Sequence, residues 1–293
     1  SFISNKIYED SSTHLREIYG EVQKEFASLT NTNWNMLMDW NEYLSYGLDD
    51  LGKDDLNRYF QSDKDRWGYS EVYFLNEQSD AEYIFYKDYP KQRLDVPFPK
   101  LEEDDIVMVG SYYALNPVLR EKVLELLDQA REKKAIIYYD PNFRSSHKNE
   151  AMKLAPTIIE NLEYADIVRG SLEDFLYMYN MQDIDKIYKD KIKFYCPQFI
   201  CTAGGQKVAL RTNLVNKDYP VAPLQAVSTI GAGDNFNAGL IYGLLKYDVR
   251  YRDLNNLNEE IWDKIIQCGK DFAAEVCGSF SNSVSVEFAK KYR

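Results

Sequence analysis

The sequence predicts an α/β fold in which a doubly wound, mostly parallel sheet is flanked by helices. From residue 105 onwards, short apolar runs alternate with helical stretches, which is the pattern of consecutive strand–helix–strand units. Glycines and small polar residues follow the apolar runs, as expected where parallel strands end at a ligand site. With 45% hydrophobic residues among 293, the chain can bury a core of this kind.

The predicted elements follow from the local pattern. Short apolar runs are read as buried strands, and leucine, isoleucine and valine at three- to four-residue spacing are read as helices. Asn116-Pro117 supplies a cap and a first-turn proline for the first core helix, and Ser171 caps a later one. In chain order we expect a strand at 106–109, a helix at 117–134, a strand at 135–139, a helix at 151–163, a strand at 165–168, a helix at 171–179, and strands at 199–202 and 208–210.

Two segments precede the predicted core, which we place at residues 91–293. Residues 70–90 contain two aromatic-rich alternating runs around a polar turn, which predicts a β-hairpin acting as a small lid. Residues 1–69 form an atypical segment that reads as mostly helical and shows no clean strand. A tyrosine-rich hairpin is also a surface through which a homodimer could form.

The composition excludes several classes of function. A net charge of −12 argues against nucleic acid and anionic membranes as partners. No apolar run approaches the roughly 18 residues of a membrane span, and the opening residues do not resemble a signal peptide. The four cysteines lack zinc-ligand spacing and there are only two histidines, so we expect neither a metal cluster nor a triad. Buried thiols in a reducing cytoplasm are the expected use of the cysteines.

The motif with the most chemical content is GAGDNFNAG at 231–239, which opens an apolar helical stretch. Glycines there allow close backbone approach, and the N–H groups at a helix start favour an anion. Asp234 beside such a site could deprotonate a hydroxyl while the amides stabilise a transferred phosphoryl group. The same spacing also fits an ordinary loop-to-helix turn with a capping aspartate. Spacing alone leaves both interpretations open.

Four segments together resemble the PfkB (ribokinase-like) family of carbohydrate kinases. GAGDNFNAG resembles the second signature of that family, and DPNFR at 140–144 resembles its DPNxR segment. Residues 169–173 stand where the family has NxxE, and residues 202–205 stand where it has a TxGxxG nucleotide turn. The order and approximate spacing are similar over residues 70–285. The resemblance implies a ribokinase-like fold with a small β lid and the use of ATP and Mg²⁺.

The resemblance also implies roles for individual residues. It implies that Asp234 is the base and that the amides of Gly231, Ala232 and Gly233 form the anion hole. Asn142 and Arg144 would face the phosphoryl group or the sugar, and Glu173 would hold magnesium through water. The residues implied at the nucleotide are Thr202, Gly204, Gly205 and Asn282. Read without the family, Arg144 is a surface ion-pair residue and Glu173 is an acid in the first turn of a helix.

Several positions depart from the family pattern. Ser228 replaces an aspartate that often helps bind a monovalent cation, Gly170 replaces the asparagine of NxxE, and Lys207 replaces the last glycine of TxGxxG. The first strand, with its sugar-binding aspartate and Gly-Gly turn, has no recognisable counterpart. Because the sequence also opens at Ser1, we expect a processed or truncated chain, in which the sugar pocket would be impaired.

The leading hypothesis is an ATP-dependent kinase acting on a hydroxyl of a small sugar or sugar acid. DPNxR tilts the expected substrate toward fructose-like sugars or 2-keto-3-deoxy sugar acids. The alternative is a ribokinase-fold protein that binds a sugar or nucleotide without turnover, and the departures support it. Asp234 beside an intact anion hole favours the enzyme, because a binding module has no need of a base there.

Overall fold

The computed structural model describes residues 97–279 and 283–292, together with the backbone of two earlier strands. These strands, β1 (Tyr69–Leu75) and β2 (Ala81–Lys87), pair antiparallel in the segment where the sequence predicts a hairpin. The predicted helical segment lies outside the described residues apart from Tyr69. By contacts the chain separates into two compact units: residues 1–91 with 226–230, and residues 92–225 with 231–293.

The second unit contains a six-stranded sheet in which neighbours in sequence are neighbours in space. Its strands are β3 (Ile106–Gly110), β4 (Ile136–Asp140), β5 (Ile167–Ser171), β6 (Gln198–Ala203), β7 (Lys207–Arg211) and β8 (Asn216–Pro220). The first four strands are parallel, β7 is antiparallel to β6, and β8 is antiparallel to β7. The predicted α/β fold is therefore confirmed, with a mixed sheet, and the carboxyl ends of the four parallel strands share one edge.

Helices cover both faces of this sheet. The α-helices of the described residues are α1 (Arg120–Lys133), α2 (Ala151–Tyr164), α3 (Leu172–Tyr179), α4 (Ile184–Ile187), α5 (Ala232–Lys246), α6 (Glu259–Cys277) and α7 (Val286–Lys291). Alternate residues of β4 belong to different cores. Ile137 and Tyr139 pack in the cluster formed with α1, α2 and α3, whereas Ile136 and Tyr138 pack in the cluster formed with α5 and α6. Burial on both faces explains why β4 reads as a continuous apolar run.

The helix starts show where local sequence decides the structure and where it does not. At α3 the prediction is confirmed: the Ser171 hydroxyl accepts from the Asp174 backbone N–H, and the Asp174 carboxylate accepts from the Ser171 backbone N–H. At α1 the predicted cap is wrong. The Asn116 side chain instead accepts from the Val118 N–H at 3.0 Å, forming a turn before the helix, which begins at Arg120.

The described part of the chain contains neither a membrane-spanning helix nor a disulfide. Within it, the helices are too short or too polar for any to cross a bilayer. All four cysteines lie within it and none forms a disulfide; Cys196, Cys201 and Cys268 are buried, whereas Cys277 is half-buried. The expectation of buried thiols holds for three of the four.

Candidate active site

A buried arginine links three neighbouring strands at the carboxyl edge of the sheet. Arg169 on β5 donates from one terminal nitrogen to the Oδ2 atom of Asp140, the last residue of β4, at 2.9 Å. Its other terminal nitrogen donates to the Oγ1 atom of Thr202 on β6, also at 2.9 Å. Although burial disfavours the charged form, Asp140 raises the pKa of Arg169, which therefore stays protonated. The site thus contains a fixed cation.

Helix α5 is attached to the same cluster through Asn237. The Asn237 side-chain amide donates to Asp140 Oδ2 at 2.6 Å, and its oxygen accepts from the Tyr138 hydroxyl at 2.8 Å. All three side chains are buried. Burial raises the pKa of Tyr138 well above its usual range, so its hydroxyl remains a donor. These bonds hold α5 against β4, with its N-terminus at the carboxyl edge.

The N-terminus of α5 has the geometry of an anion site. Gly231 has φ 77° and ψ −2°, a left-handed conformation that a side chain would strain, and the helix begins at the next residue. The backbone N–H and the side-chain amide of Asn235 both donate to the Gly231 carbonyl at 2.9 Å. The first N–H groups of a helix have no acceptor within it, and the helix dipole is positive at this end. The N–H groups at this helix start therefore favour a phosphate.

A base candidate and the buried cation both lie close to this turn. Asp234 stands in the first turn of α5 and is exposed, so its carboxylate is accessible. On the inner side, a Cβ built on Gly233 would lie 3.5 Å from the nearest terminal nitrogen of Arg169. The Arg169 guanidinium also lies 5.3 Å from the ring centre of Phe236. Amide donors, a cation and a carboxylate therefore meet within one helical turn, which is the combination needed for phosphoryl transfer.

The DPNFR segment forms the turn that leaves β4. The Asn142 backbone N–H donates to Asp140 Oδ1 at 3.0 Å, and Asn142 itself has a φ of 40°. Asn142 is half-buried at the edge of the sheet. Arg144 follows two residues later, also half-buried, directly before a short 3₁₀ helix at Ser145–Glu150. Through Asp140, this turn is connected to Arg169 and to α5.

Three of the predicted nucleotide residues lie at the end of β6 and in the turn to β7. Thr202 is held by Arg169, and Gly204 and Gly205 are exposed at the tip. Gly204 has a φ of 53°, which favours glycine there, and a Cβ on either glycine would meet no atom within 4 Å. The turn therefore presents open backbone beside Thr202. Asn282, predicted near the adenine, lies outside the described residues.

The two acids at the start of α3 have different surroundings. Glu173, predicted to hold magnesium through water, is exposed and accepts from the Tyr177 hydroxyl at 2.6 Å, which raises the pKa of Tyr177 to about 12. Asp174 is buried, and burial together with the charge of Asp140 raises its pKa. In residues 97–279 and 283–292, no three histidine, cysteine or acidic side chains are grouped to hold a metal ion.

Sequence reasoning missed the residues that connect the site. It assigned no role to Arg169 or Asn237, although both carry a readable signal. Arg169 is a charged residue in a predicted strand, between Val168 and Gly170. Asn237 carries an amide side chain in a helical stretch that is mostly apolar beyond it. Charged and amide side chains are seldom fully buried without partners, so each predicts a polar contact inside the fold.

Comparison of the sequence with known proteins identifies similar carbohydrate kinases. A family model described as pfkB family carbohydrate kinase matches residues 51–288. A fructokinase of Klebsiella pneumoniae is 26% identical over 168 residues, which cover 56% of this chain and 50% of that protein. The chain spans about half the length of the curated relatives it matches.

Solved structures share the fold. A fructokinase double mutant from Vibrio cholerae O395, in its fructose-, ADP- and potassium-bound form, superposes with a TM-score of 0.59 at 17% identity, covering 76% of this chain and 73% of that one. A sugar kinase from Pyrococcus horikoshii in complex with ATP superposes with a TM-score of 0.58 at 23% identity, covering 76% and 70%. At these identities the likeness establishes the architecture.

Proposed function

This chain belongs to the pfkB family of carbohydrate kinases, and on that premise we propose that it transfers the γ-phosphoryl group of ATP to a hydroxyl of a small sugar or sugar acid. The observation that carries the proposal is the N-terminus of α5, where an exposed Asp234 adjoins a glycine-rich anion site above a buried arginine. The fructokinase relative and the DPNFR segment support a fructose-like sugar or a 2-keto-3-deoxy sugar acid as the acceptor.

In the proposed reaction Asp234 is the general base. Its carboxylate takes the proton of the acceptor hydroxyl while the hydroxyl oxygen attacks the γ-phosphorus, and the bond from that phosphorus to the ADP oxygen breaks. The amides of Gly231, Ala232 and Gly233 stabilise the negative charge on the transferred group. The exposure of Asp234 supports this role, because a base must be reachable by its substrate.

The order of strands supports an assignment of the two substrates. Thr202 lies near the end of β6, and Gly204 and Gly205 follow that strand. These three residues would face the nucleotide, and Asn282 would lie near the adenine. Asn142 and Arg144 follow β4 and would face the sugar or the phosphoryl group. Strands β4 and β6 flank β5, so at about 4.8 Å per strand the two groups are roughly 10 Å apart. The phosphoryl group would pass between them, above Arg169.

Magnesium fits this site as an ion carried with the nucleotide. Mg²⁺ usually retains several waters and uses one or two carboxylates plus substrate phosphates, so a preformed cage is not required. The carboxylates of Asp140 and Asp174 already accept hydrogen bonds from protein donors. Both are also buried, whereas Glu173, which accepts one bond from Tyr177, is exposed, and we assign it the water-mediated contact. When bound, the ion would neutralise phosphate charge.

The test is sugar-dependent ADP release with magnesium across ketoses, aldoses, sugar acids and nucleosides. We expect turnover on a ketose or keto sugar acid, and loss of about 10²–10⁴-fold in kcat for Asp234→Asn. Glu121→Gln, an exposed acid in the first turn of α1, is the matched control and should leave kcat unchanged. Equal activity of Asp234→Asn and the wild type would disprove the base assignment. ATP binding without turnover on any sugar would favour the alternative of a non-catalytic binding protein.

The proposal extends to assembly and location. A homodimer through the β1–β2 pair is supported by the tyrosine-rich sequence of these strands. The absence of disulfides among the four cysteines fits a reducing compartment such as the cytoplasm. Sedimentation equilibrium of the chain would test the dimer, and a monomer at high micromolar concentration would rule it out.

A further inference from the structure

We propose that Arg169 is a positioning residue of the phosphoryl site, with two tasks. It holds the turns on either side of the site in place, and it keeps a fixed positive charge beneath the amides of Gly231–Gly233. The inference rests on the proposed function, because it assigns Arg169 to the same anion site. Its evidence is separate, since it comes from contacts that no sequence motif predicted.

The first task follows from the position of Arg169 in the sheet. β5 lies between β4 and β6, and one guanidinium reaches a side chain on each: Asp140 at 2.9 Å and Thr202 at 2.9 Å. Asp140 in turn accepts from the Asn142 N–H and so shapes the DPN turn. Only the fork of an arginine presents several donors in fixed directions, because a lysine carries one compact ammonium. Arg169 therefore couples the acceptor side to the nucleotide side.

The second task follows from its place under the helix. Its terminal nitrogens lie 3.5 and 3.7 Å from where a Cβ of Gly233 would stand. A cation at the positive end of a helix dipole is unfavourable by itself. Within the fold, the ion pair with Asp140 at 2.9 Å stabilises the charged arginine in this position. An anion bound at the N-terminus of α5 would be attracted by both the dipole and the guanidinium, which gives the buried arginine a role in anion binding.

An unpaired donor strengthens the argument. The Arg169 side chain is only 8% exposed, and its Nε–H is buried without an acceptor among the described residues. Leaving a buried donor unsatisfied destabilises the folded state, so packing alone gives no reason to keep an arginine here. A positive charge needed for anion binding at this point gives such a reason.

The chain offers a matched control in Arg211. It is the other arginine buried among the described residues, and its side chain is 6% exposed. It donates to Asp185 at 2.6 Å and forms an ion pair with Asp218 at 2.8 Å. None of these contacts involves the candidate site. Variants at Arg211 therefore report the general effect of removing a buried arginine.

The experiment measures binding of inorganic phosphate, of MgADP and of adenosine by calorimetry, for wild type, Arg169→Gln, Arg169→Lys and Arg211→Gln. We expect Arg169→Gln to weaken phosphate and MgADP binding roughly tenfold while adenosine binding is unchanged. Arg169→Lys should recover phosphate affinity but keep a reduced kcat, because the bridge is lost. Arg211→Gln should lose stability and retain phosphate affinity.

Three results would overturn the inference. The first is no phosphate binding by the wild type, the second is equal phosphate affinity in Arg169→Gln, and the third is an equal loss in Arg211→Gln. If Arg169→Gln does not fold, Arg169→Lys decides, since an unchanged kcat in that variant contradicts the bridging role. The binding measurements need no turnover. A wild type that binds phosphate through Arg169 but phosphorylates no sugar would refute the proposed function and leave this inference standing.

Discussion

Asp166 offers a test of the electrostatics of the fold at a distance from the candidate site. It directly precedes β5, at the amino end of the parallel strands, whereas the site lies at their carboxyl ends. Its Oδ2 atom accepts from the Ile137 N–H at 2.8 Å, and its own N–H donates to the Ile137 carbonyl at 2.8 Å. Burial raises the pKa of Asp166 from 3.8 to about 6, although the Ile137 bond and Arg131 act in the opposite direction.

A raised pKa means that the folded state binds the Asp166 proton more tightly than the unfolded state does. The stability from this group is therefore fully present below the unfolded pKa of 3.8 and is lost as the pH rises through about 6. A difference of about two pKa units corresponds to ~3 kcal/mol, which partial exposure of the side chain reduces to ~2 kcal/mol. Asparagine keeps the accepting oxygen and carries no charge. Asp166→Asn should be more stable than the wild type by ~2 kcal/mol at alkaline pH, and equally stable near the unfolded pKa.

The assay is urea unfolding of both proteins across the acid-to-alkaline range, with the free energy of unfolding extrapolated at each pH. Asp190→Asn, which removes an exposed carboxylate, is the control for the loss of one acidic group. If the free energies of unfolding of Asp166→Asn and the wild type change in parallel with pH, or if Asp166→Asn is less stable at alkaline pH, then the pKa of Asp166 is not raised by burial.

Two further substitutions have defined outcomes in the same unfolding assay. Ser111 has φ 58° and ψ −178°, a backbone conformation that is nearly exclusive to glycine. Ser111→Gly should therefore raise the free energy of unfolding by ~1 kcal/mol or more, whereas Ser111→Ala should not. Tyr138→Phe removes the hydroxyl that donates to Asn237 and leaves a buried amide oxygen unpaired, so it should lower the free energy of unfolding by ~1–3 kcal/mol. An unchanged midpoint in either variant, at constant urea dependence, would contradict the corresponding contact or strain.

The parts of the fold that could be predicted are those that depend on neighbours in sequence. β4 was readable because burial on both faces demands an unbroken apolar run. The start of α3 was readable because Ser171 and Asp174 cap it within one turn. The start of α1 was misread because the Asn116 side chain can cap a turn as well as a helix, and the residues around it decide between the two.

Local sequence is enough to predict the class of the fold and the start of α5, since glycines followed by an apolar helical stretch are a local pattern. Which side chains meet at that helix start depends on contacts between distant parts of the chain. Arg169 contacts partners 29 and 33 residues away along the chain, and Asp140 contacts Asn237 across 97 residues. These contacts depend on the order of the strands and on which face each side chain takes. Likewise, one step of about 100° around α3 separates the exposed Glu173 from the buried Asp174, and the packing of that helix sets which acid faces inward.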